Sequence, residues 1–232
     1  MKNKNILLVL IAAITATLLF SGCNKDEEED DDQNNQETFT SLESPYLICA
    51  SRNPGGVGFD FEYHGEPGGA NNMDSLSVED FNEDIVIRTI KAEKPDGTLG
   101  GRPFVKLADD VQAINYSEVD TTCKGESGFE QLTSLNTSSL NFSGDDNSFD
   151  LGGLETGTTG KPLWSEVNSE YAKLVIGDGW KEAANNDTSG DELIYIIKTS
   201  ENRYIKFMVT DFPADPAPTS TGYIAIDWDH VD

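Results

Sequence analysis

Side chains that could do chemistry are few in this 232-residue sequence. There are two histidines, His64 and His230, and neither stands in a catalytic pattern. No GxSxG nucleophile elbow is present, and the glycine-rich stretches "GGVGFDFEY" and "DGTLGG" lack the spacing of a dinucleotide or phosphate loop. Acidic residues are so frequent that their spacing singles out no glycosidase pair. These residues predict a binding protein and not an enzyme.

Clustered oxygen ligands make Ca²⁺ a candidate cofactor, because calcium binds carboxylate and carbonyl oxygens. Two segments supply them: Asp145, Asp146, Asn147 and Asp150 in "GDDNSFD", and Asn186, Asp187, Asp191 and Glu192 in "NNDTSGDE". Neither segment has the spacing of an EF-hand. The alternative, solvated turns capped by their own Asn and Asp side chains, is favoured.

Aromatic side chains are the next candidates, because they stack on sugars and on flat apolar ligands. The set comprises Trp164, Trp180 and Trp228 with Tyr63, Tyr171 and Tyr223. Most large aromatics are expected to anchor a core. Trp180 stands among turn formers and polar residues in "GDGWKEAANN", so we expect it to be exposed and to contact ligand.

The most informative single side chain is Cys23. Lys2 and Lys4 precede an apolar run at positions 6–20, broken only by two threonines. These 15 residues would form a helix of about 22 Å, which is short for a membrane span and typical of a secretory signal. The junction "FSGC" resembles the lipobox of bacterial lipoproteins, with Phe20 where that family more often has leucine. The resemblance implies that residues 1–22 are a cleaved signal peptide and that Cys23 is lipidated.

The chain after Cys23 is strongly acidic. Positions 26–43 hold nine acids and no base, with Phe39 and Leu42 as the only large apolar side chains. Such a segment cannot bury enough apolar surface to fold, so we expect residues 23–43 to form a disordered acidic tether. The stretch "CNKDEEE" resembles the export signal of Bacteroidota-type surface lipoproteins. It implies a protein anchored by lipid in the outer membrane and facing the extracellular side.

Composition limits the partners of the remaining chain. The sequence has 42 acidic and 16 basic residues, a net charge of −26, so nucleic acid and anionic membrane surfaces are poor partners. Residues 44–232 are long enough for a single domain with a sizeable core. Cys49 and Cys123 are an even pair in an exported chain, which is consistent with one disulfide and equally with two buried thiols.

Strand signals dominate residues 44–232. Nine segments alternate or run apolar between Gly, Asn, Asp and Pro clusters: "PYLICAS", "GVGFDFEY", "DIVIRTIKAE", "RPFVKLA", "VQAINYSEV", "YAKLVIG", "ELIYIIKTS", "RYIKFMVTDF" and "GYIAIDWDHV". They predict an all-β fold, a single antiparallel sandwich or barrel-like domain. We expect further short strands at "FEQLT", "LNFS" and "FDLGG", and a helix at "SLSVEDFNEDI".

The last three of these segments predict a β-meander. In "ELIYIIKT" and "RYIKFMVT" apolar residues occupy both faces, so we expect a central hairpin covered on two sides. Phe207, flanked by Ile205 and Val209 on one face, is the predicted centre of the core.

The same strands, "ELIYIIKTSENRYIKFMVTDF" and "STGYIAIDWDHV", resemble the closing strands of the HmuY-like haem-binding surface lipoproteins. "EDIVIRT" is similar to another segment of that family but lacks its tryptophan. The resemblance covers about a quarter of the chain. It implies an all-β fold, surface anchoring, haem capture and delivery to an outer-membrane transporter.

The haem of that family is held by two axial side chains, His or Met, on loops in mid-domain. This sequence has no His or Met between Met73 and Met208, so those positions do not carry over. His64 and Met73 in "YHGEPGGANNM" would have to substitute, approached by His230 or Met208. The alternative function is a glycan-binding or adhesion module on the cell surface, using exposed aromatics and assisted by Ca²⁺.

Overall fold

The computed structural model describes residues 46–50, 56–61, 73–75, 83–181, 184, 191–212 and 223–232. Nine strands and three short helices account for about half of them. The strands are β1 (Tyr46–Cys49), β2 (Val57–Phe59), β3 (Met73–Ser75), β4 (Ile85–Glu93), β5 (Leu99–Leu107), β6 (Gln112–Asn115), β7 (Ile194–Lys198), β8 (Tyr204–Asp211) and β9 (Tyr223–His230). The helices are α1 (Tyr116–Val119), α2 (Gly125–Gln131) and α3 (Trp164–Tyr171), with a 3₁₀ turn at Thr137–Ser139.

Two antiparallel sheets form a sandwich, the first of the two forms that the strand pattern left open. One sheet has five strands in the order β1-β9-β8-β7-β6, and the other has four in the order β3-β2-β4-β5. The predicted C-terminal meander is confirmed, because β7, β8 and β9 are successive neighbours in the five-stranded sheet. In the β7–β8 connection Asn202 adopts φ +64°, a left-handed conformation that Asn tolerates better than most residues.

The core lies between the sheets and is built by alternation along the strands. Phe207 and Trp228 are paired in register and point inward, where they meet Phe59 of β2 and Phe61, which follows β2. The Phe59 and Trp228 ring centroids lie 5.6 Å apart in an edge-to-face arrangement, which aromatic pairs prefer. The predicted place of Phe207 in the core is therefore confirmed.

Both sheets are also covered on their outer faces. On the five-stranded sheet Ile194, Ile196 and Met208 pack against residues of α2 and its flanks, Phe129 and Leu132. The central hairpin is thus covered on two sides, as its two apolar faces predict. On the four-stranded sheet α3 packs across Ala92 and Phe104 through buried residues of its own, Val167 and Tyr171.

Some sequence assignments are wrong. "FEQLT" is not a strand: Phe129 belongs to α2, and Phe129 and Leu132, three residues apart, pack together as on one helix face. "YAKLVIG" is the end of α3 and a following turn, and its backbone pairs with the sheet at the Val105–Gly177 bridge. "FDLGG" forms bends and "LNFS" contributes one bridge, Ala113–Ser143. Most of "SLSVEDFNEDI" lies outside the described residues.

Cys123 is a free, buried thiol, so the candidate disulfide with Cys49 is not formed. Its sulfur donates to the carbonyl oxygen of Gly128 at 3.6 Å, within the cluster that contains Ile194 of β7. Cys49 belongs to β1, three strand positions from β7. At about 4.8 Å per strand that separation is roughly 14 Å, far beyond the roughly 7 Å that a disulfide spans between Cα atoms.

Within the described ranges, no helix is long and apolar enough to cross a membrane.

Candidate functional site

The residues predicted from sequence as ligand contacts are not brought together in the described structure. Cys23 and His64 lie outside the described residues, and Met73 contributes only the backbone of its position in β3. His230 ends β9, partly buried, with its ring 5.8 Å from that of Trp228.

Met208 is buried and lies on the opposite face of its sheet from His230. Its side chain is 1% exposed and packs beneath α2 on the outer face of the five-stranded sheet. Trp228, which His230 contacts, faces the opposite side of the same sheet, into the core. Met208 and His230 therefore cannot ligate one iron.

Trp180 is buried and not exposed, contrary to the expectation from its polar neighbours. Its indole Nε1 donates to the carbonyl oxygen of Gly177 at 3.0 Å, and its ring packs edge-on against Phe212 at 5.9 Å. The surrounding turn has a physical role, because Gly177 adopts φ +52° and the turn directs the ring inward. The glycine and polar residues around Trp180 correctly predict a turn. They wrongly predict that the Trp180 side chain points outward.

The carboxylates proposed for Ca²⁺ cap backbone groups. Asp145 accepts from the amides of Leu107 and Val175, each at 2.7 Å, and so ties two segments together. Asp146 caps the Ser148 amide at 2.8 Å, and Asp150 caps that of Gly152 at 2.7 Å. No group of three or more potential metal-ligating His, Cys, Asp or Glu occurs in the described part of the chain. Asn186 and Asp187 lie outside that part, whereas Asp191 and Glu192 lie within it.

A pocket of about 430 Å³ opens where the β4–β5 hairpin, the start of α3 and the end of β8 meet. Its volume is within the range of small-molecule sites, about 300–1,000 Å³. The side chains that define it are Lys91, Lys94, Leu99, Trp164, Lys181 and Phe212. We call it the Trp164 pocket.

Trp164 is the first residue of α3 and lies against the glycine-containing start of β5. A Cβ atom added at Gly100 would stand 2.9 Å from the indole ring, closer than real side chains approach. Glycine there leaves room for the ring to rest on the strand. The indole is partly exposed, whereas the two other tryptophans, Trp180 and Trp228, are at most 2% exposed.

Arg102 supports the indole from within the protein. Its guanidinium carbon lies 4.3 Å from the Trp164 ring centroid and 5.1 Å from that of Tyr171. The same guanidinium donates to Asn168 and forms an ion pair with Asp178. Tyr171 in turn donates to the Arg102 carbonyl oxygen at 2.9 Å. Arg102 is therefore held in position between the two rings.

Two lysine ammonium groups also lie near the indole, Lys94 at 5.8 Å and Lys181 at 5.4 Å from its centroid. Lys181 is partly buried and lies 5.6 Å from the Phe212 ring centroid. Burial lowers the pKa of Lys181, and the nearby charges of Arg102 and Lys94 lower it further, against the opposing effect of Asp178. The surroundings of Lys181 therefore disfavour its charged form.

Glu93 fixes the segment that leads into Trp164. Its carboxylate accepts hydrogen bonds from the amides and hydroxyls of both Thr158 and Thr159. These four bonds lower the pKa of Glu93 to about 2. The Glu93 amide also donates to the Pro162 carbonyl oxygen at 2.8 Å, two residues before the indole.

A larger groove of about 570 Å³ is lined in part by Asn168 and Asp178, the side chains that hold Arg102. Its lining is mixed, with the polar residues Asn115, Glu118 and Tyr195 beside apolar residues such as Ile114 and Leu193. No cation of a lysine or arginine lines the described part of it. The groove therefore has neither the charge nor the exposed indole of the Trp164 pocket.

The sequence predicts Trp164 only as one of six candidate aromatic residues, and it does not predict the pocket around it. The lysines come from two segments about 90 residues apart, so no local spacing announces them. One signal was present: Trp164, Val167 and Tyr171 follow a helical period of three and four residues, which predicts α3.

Comparison of the chain with known protein families, curated proteins and solved structures finds no match.

Proposed function

We propose that this protein is a lipid-anchored protein of the bacterial outer membrane, facing outward, that captures a ligand from its surroundings in the Trp164 pocket. The Cys23 junction and the acidic segment after it support the location. The sandwich supports ligand capture, because it is a rigid frame that presents loops and sheet ends.

The observation that carries ligand capture is the partly exposed indole of Trp164 beside lysine ammonium groups at 5.4 and 5.8 Å. An aromatic face beside polar groups binds a sugar ring, whose C–H groups stack while its hydroxyls are hydrogen-bonded. Such pockets have mostly apolar walls and a few orienting polar groups. A glycan is therefore the ligand class that this geometry supports best.

Haem is the second candidate, favoured by the resemblance of β7, β8 and β9 to the haem-binding surface lipoproteins. The described residues supply no pair of axial ligands, because Met208 is buried on the outer face of its sheet. Haem capture, with delivery to an outer-membrane transporter, would rest on His64 and Met73.

One pair of titrations tests both candidates. The full chain, purified in detergent, is titrated with haemin and, separately, with oligosaccharides, following absorbance and tryptophan emission. Glycan capture predicts saturable binding that Trp164→Ala abolishes and His64→Ala leaves intact. Haem capture predicts a Soret shift at micromolar haemin that His64→Ala abolishes. If neither titration saturates, ligand capture is the wrong function for this domain.

A further inference from the structure

The Trp164 pocket has a charge opposite to that of the chain that builds it. The sequence has 42 acidic and 16 basic residues, so a surface pocket lined at random would contain more carboxylates than ammonium groups. Among the described residues that line this pocket there are three lysines and no carboxylate. Positive charge is therefore concentrated at the exposed indole.

The charges of two described acids, Asp96 and Asp178, act on these lysines. Within the described residues no ion pair joins Lys91, Lys94 or Lys181 to a carboxylate. Asp178, whose charge acts on Lys181, is bonded to Arg102, and the charge of Lys94 helps to lower the pKa of Asp96. Like charges placed close together repel one another, and a bound anion would offset part of that repulsion.

The Lys181 ammonium illustrates this repulsion. It lies between the rings of Trp164 and Phe212, at 5.4 and 5.6 Å from their centroids, which desolvates it. Burial lowers the pKa of Lys181 first, and the charges of Arg102 and Lys94 lower it further against the opposing effect of Asp178. An anionic ligand in the pocket would raise that pKa again.

We propose that the ligand of the Trp164 pocket is an acidic sugar, one that bears a carboxylate or sulfate group on a ring that stacks on the indole. This inference rests on the proposed capture function and specifies its ligand. A sugar acid combines the two features that the pocket recognises, an apolar ring face and a localised negative charge. Lysines bind such a group as point charges.

Among its described residues the pocket offers an anion lysines and not a free arginine fork. Arginine would donate two parallel hydrogen bonds to a carboxylate or a phosphate, whereas lysine binds such groups as a point charge. Arg102, the described arginine that contacts the indole, already uses its two terminal nitrogens for Asn168 and Asp178. Nucleic acid is disfavoured further by the net charge of −26.

Two matched pairs of polymers test the charge requirement with the full chain in detergent. The first pair is oligogalacturonate and its methyl ester, which share rings and differ in charge. The second pair is dextran sulfate and dextran. We expect binding to the charged member of at least one pair, at least tenfold tighter than to the neutral member. The pair that binds distinguishes a carboxylate from a sulfate.

Variants locate the effect. Lys94→Gln/Lys181→Gln should weaken acidic-sugar binding at least tenfold, and Trp164→Ala should weaken it similarly. Lys124→Gln/Lys198→Gln changes the net charge equally outside the pocket and should bind like the parent. Circular dichroism of each variant verifies the fold.

The possible results distinguish a failure of the acidic-sugar inference from a failure of the proposed capture function. If the neutral polymers bind as tightly as the acidic ones and Trp164→Ala abolishes both, capture stands and the acidic-sugar inference is overturned. Equal weakening by the two lysine pairs would also overturn it, because the attraction would then be general. If no polymer and no haemin binds, the proposed function fails with it.

Discussion

Glu93 joins the β4–β5 hairpin to the segment before Trp164, and its charge is essential to that link. A carboxylate accepts all four hydrogen bonds from Thr158 and Thr159, whereas an uncharged amide accepts fewer and repels part of the donor set. The position of the pocket's indole thus depends on an acid that does not line the pocket.

The Glu93 carboxylate predicts a specific acid sensitivity. Its pKa of about 2 in the folded protein is below the ordinary value of 4.5, so the folded state is favoured by ionisation. This contribution is complete above about pH 4.5 and is lost as the pH falls toward 2. Glu93→Gln should lower stability at pH 7 and flatten the decline between pH 4.5 and 2.

Urea denaturation at pH 7, 4 and 3 measures this effect. Glu130→Gln, an exposed acid of α2, is the matched control and should follow the parent at every pH. A Glu93→Gln protein whose stability falls with pH as steeply as that of the parent would show that the four hydrogen bonds do not depend on the charge.

At the scale of elements, the β7–β8 hairpin carries the core. Phe207 is fully buried, paired in register with Tyr195 and Trp228, and its ring lies 6.4 Å from that of Phe61 in the opposite sheet. It therefore connects strands within one sheet and the two sheets with each other.

Phe207→Ala should cost about 3–5 kcal/mol, the usual range for truncating a buried phenylalanine. That is a large share of the roughly 5–15 kcal/mol that stabilises a domain. Val119→Ala is the control, since Val119 is 54% exposed at the end of α1 and should change stability by less than about 0.5 kcal/mol. Urea melts that show no difference between the two variants would contradict the place of the hairpin in the core.

Elements with period-two alternation could be predicted from sequence, and those that fill space between them could not. β4, β5, β7, β8 and β9 lie within their predicted segments or differ from them at the ends. The apolar residues of "YAKLVIG" also look like a strand, yet Tyr171, Leu174 and Ile176 pack against the sheets as helix end and turn. An apolar segment buried in a turn has the same local sequence pattern as an apolar strand buried in a sheet, so the sequence does not distinguish the two.

The Trp164 pocket was beyond local inference for a related reason. Lys94 and Lys181 are brought together by the packing of α3 on the four-stranded sheet, a contact between distant segments. Trp180 illustrates the converse: its polar neighbours predict exposure, and tertiary packing buries it completely.

For the molecule as a whole, the proposed location depends on Cys23. If the lipobox-like junction directs lipidation, Cys23→Ser should leave an unprocessed precursor or a protein released from the membrane. Fractionation of cells and protease treatment of intact cells measure this. Cys49→Ser is the control and should fractionate like the parent. Mature Cys23→Ser protein that still fractionates with the outer membrane would contradict the proposed anchor.

The net charge of the molecule and the charges around Trp164 act in opposite directions on an approaching ion. A protein with a net charge of −26 attracts cations and repels anions over about 10 Å or less at physiological salt. Among the described residues the charges nearest the Trp164 ring are the Arg102 guanidinium and the Lys94 and Lys181 ammonium groups, so an anion should be favoured there. We propose that the local charge is thus reversed at the one tryptophan that is partly exposed.

Collisional quenching of tryptophan emission tests this claim most directly, because Trp180 and Trp228 are buried and quenchers reach Trp164 first. We predict that iodide quenches the emission more strongly than caesium at equal ionic strength. Lys94→Gln/Lys181→Gln should reverse that order, neutral acrylamide should quench both proteins alike, and Trp164→Phe should remove the quenchable emission. Stronger quenching by caesium in the parent protein, unchanged in the lysine variant, would contradict an anion-selective pocket.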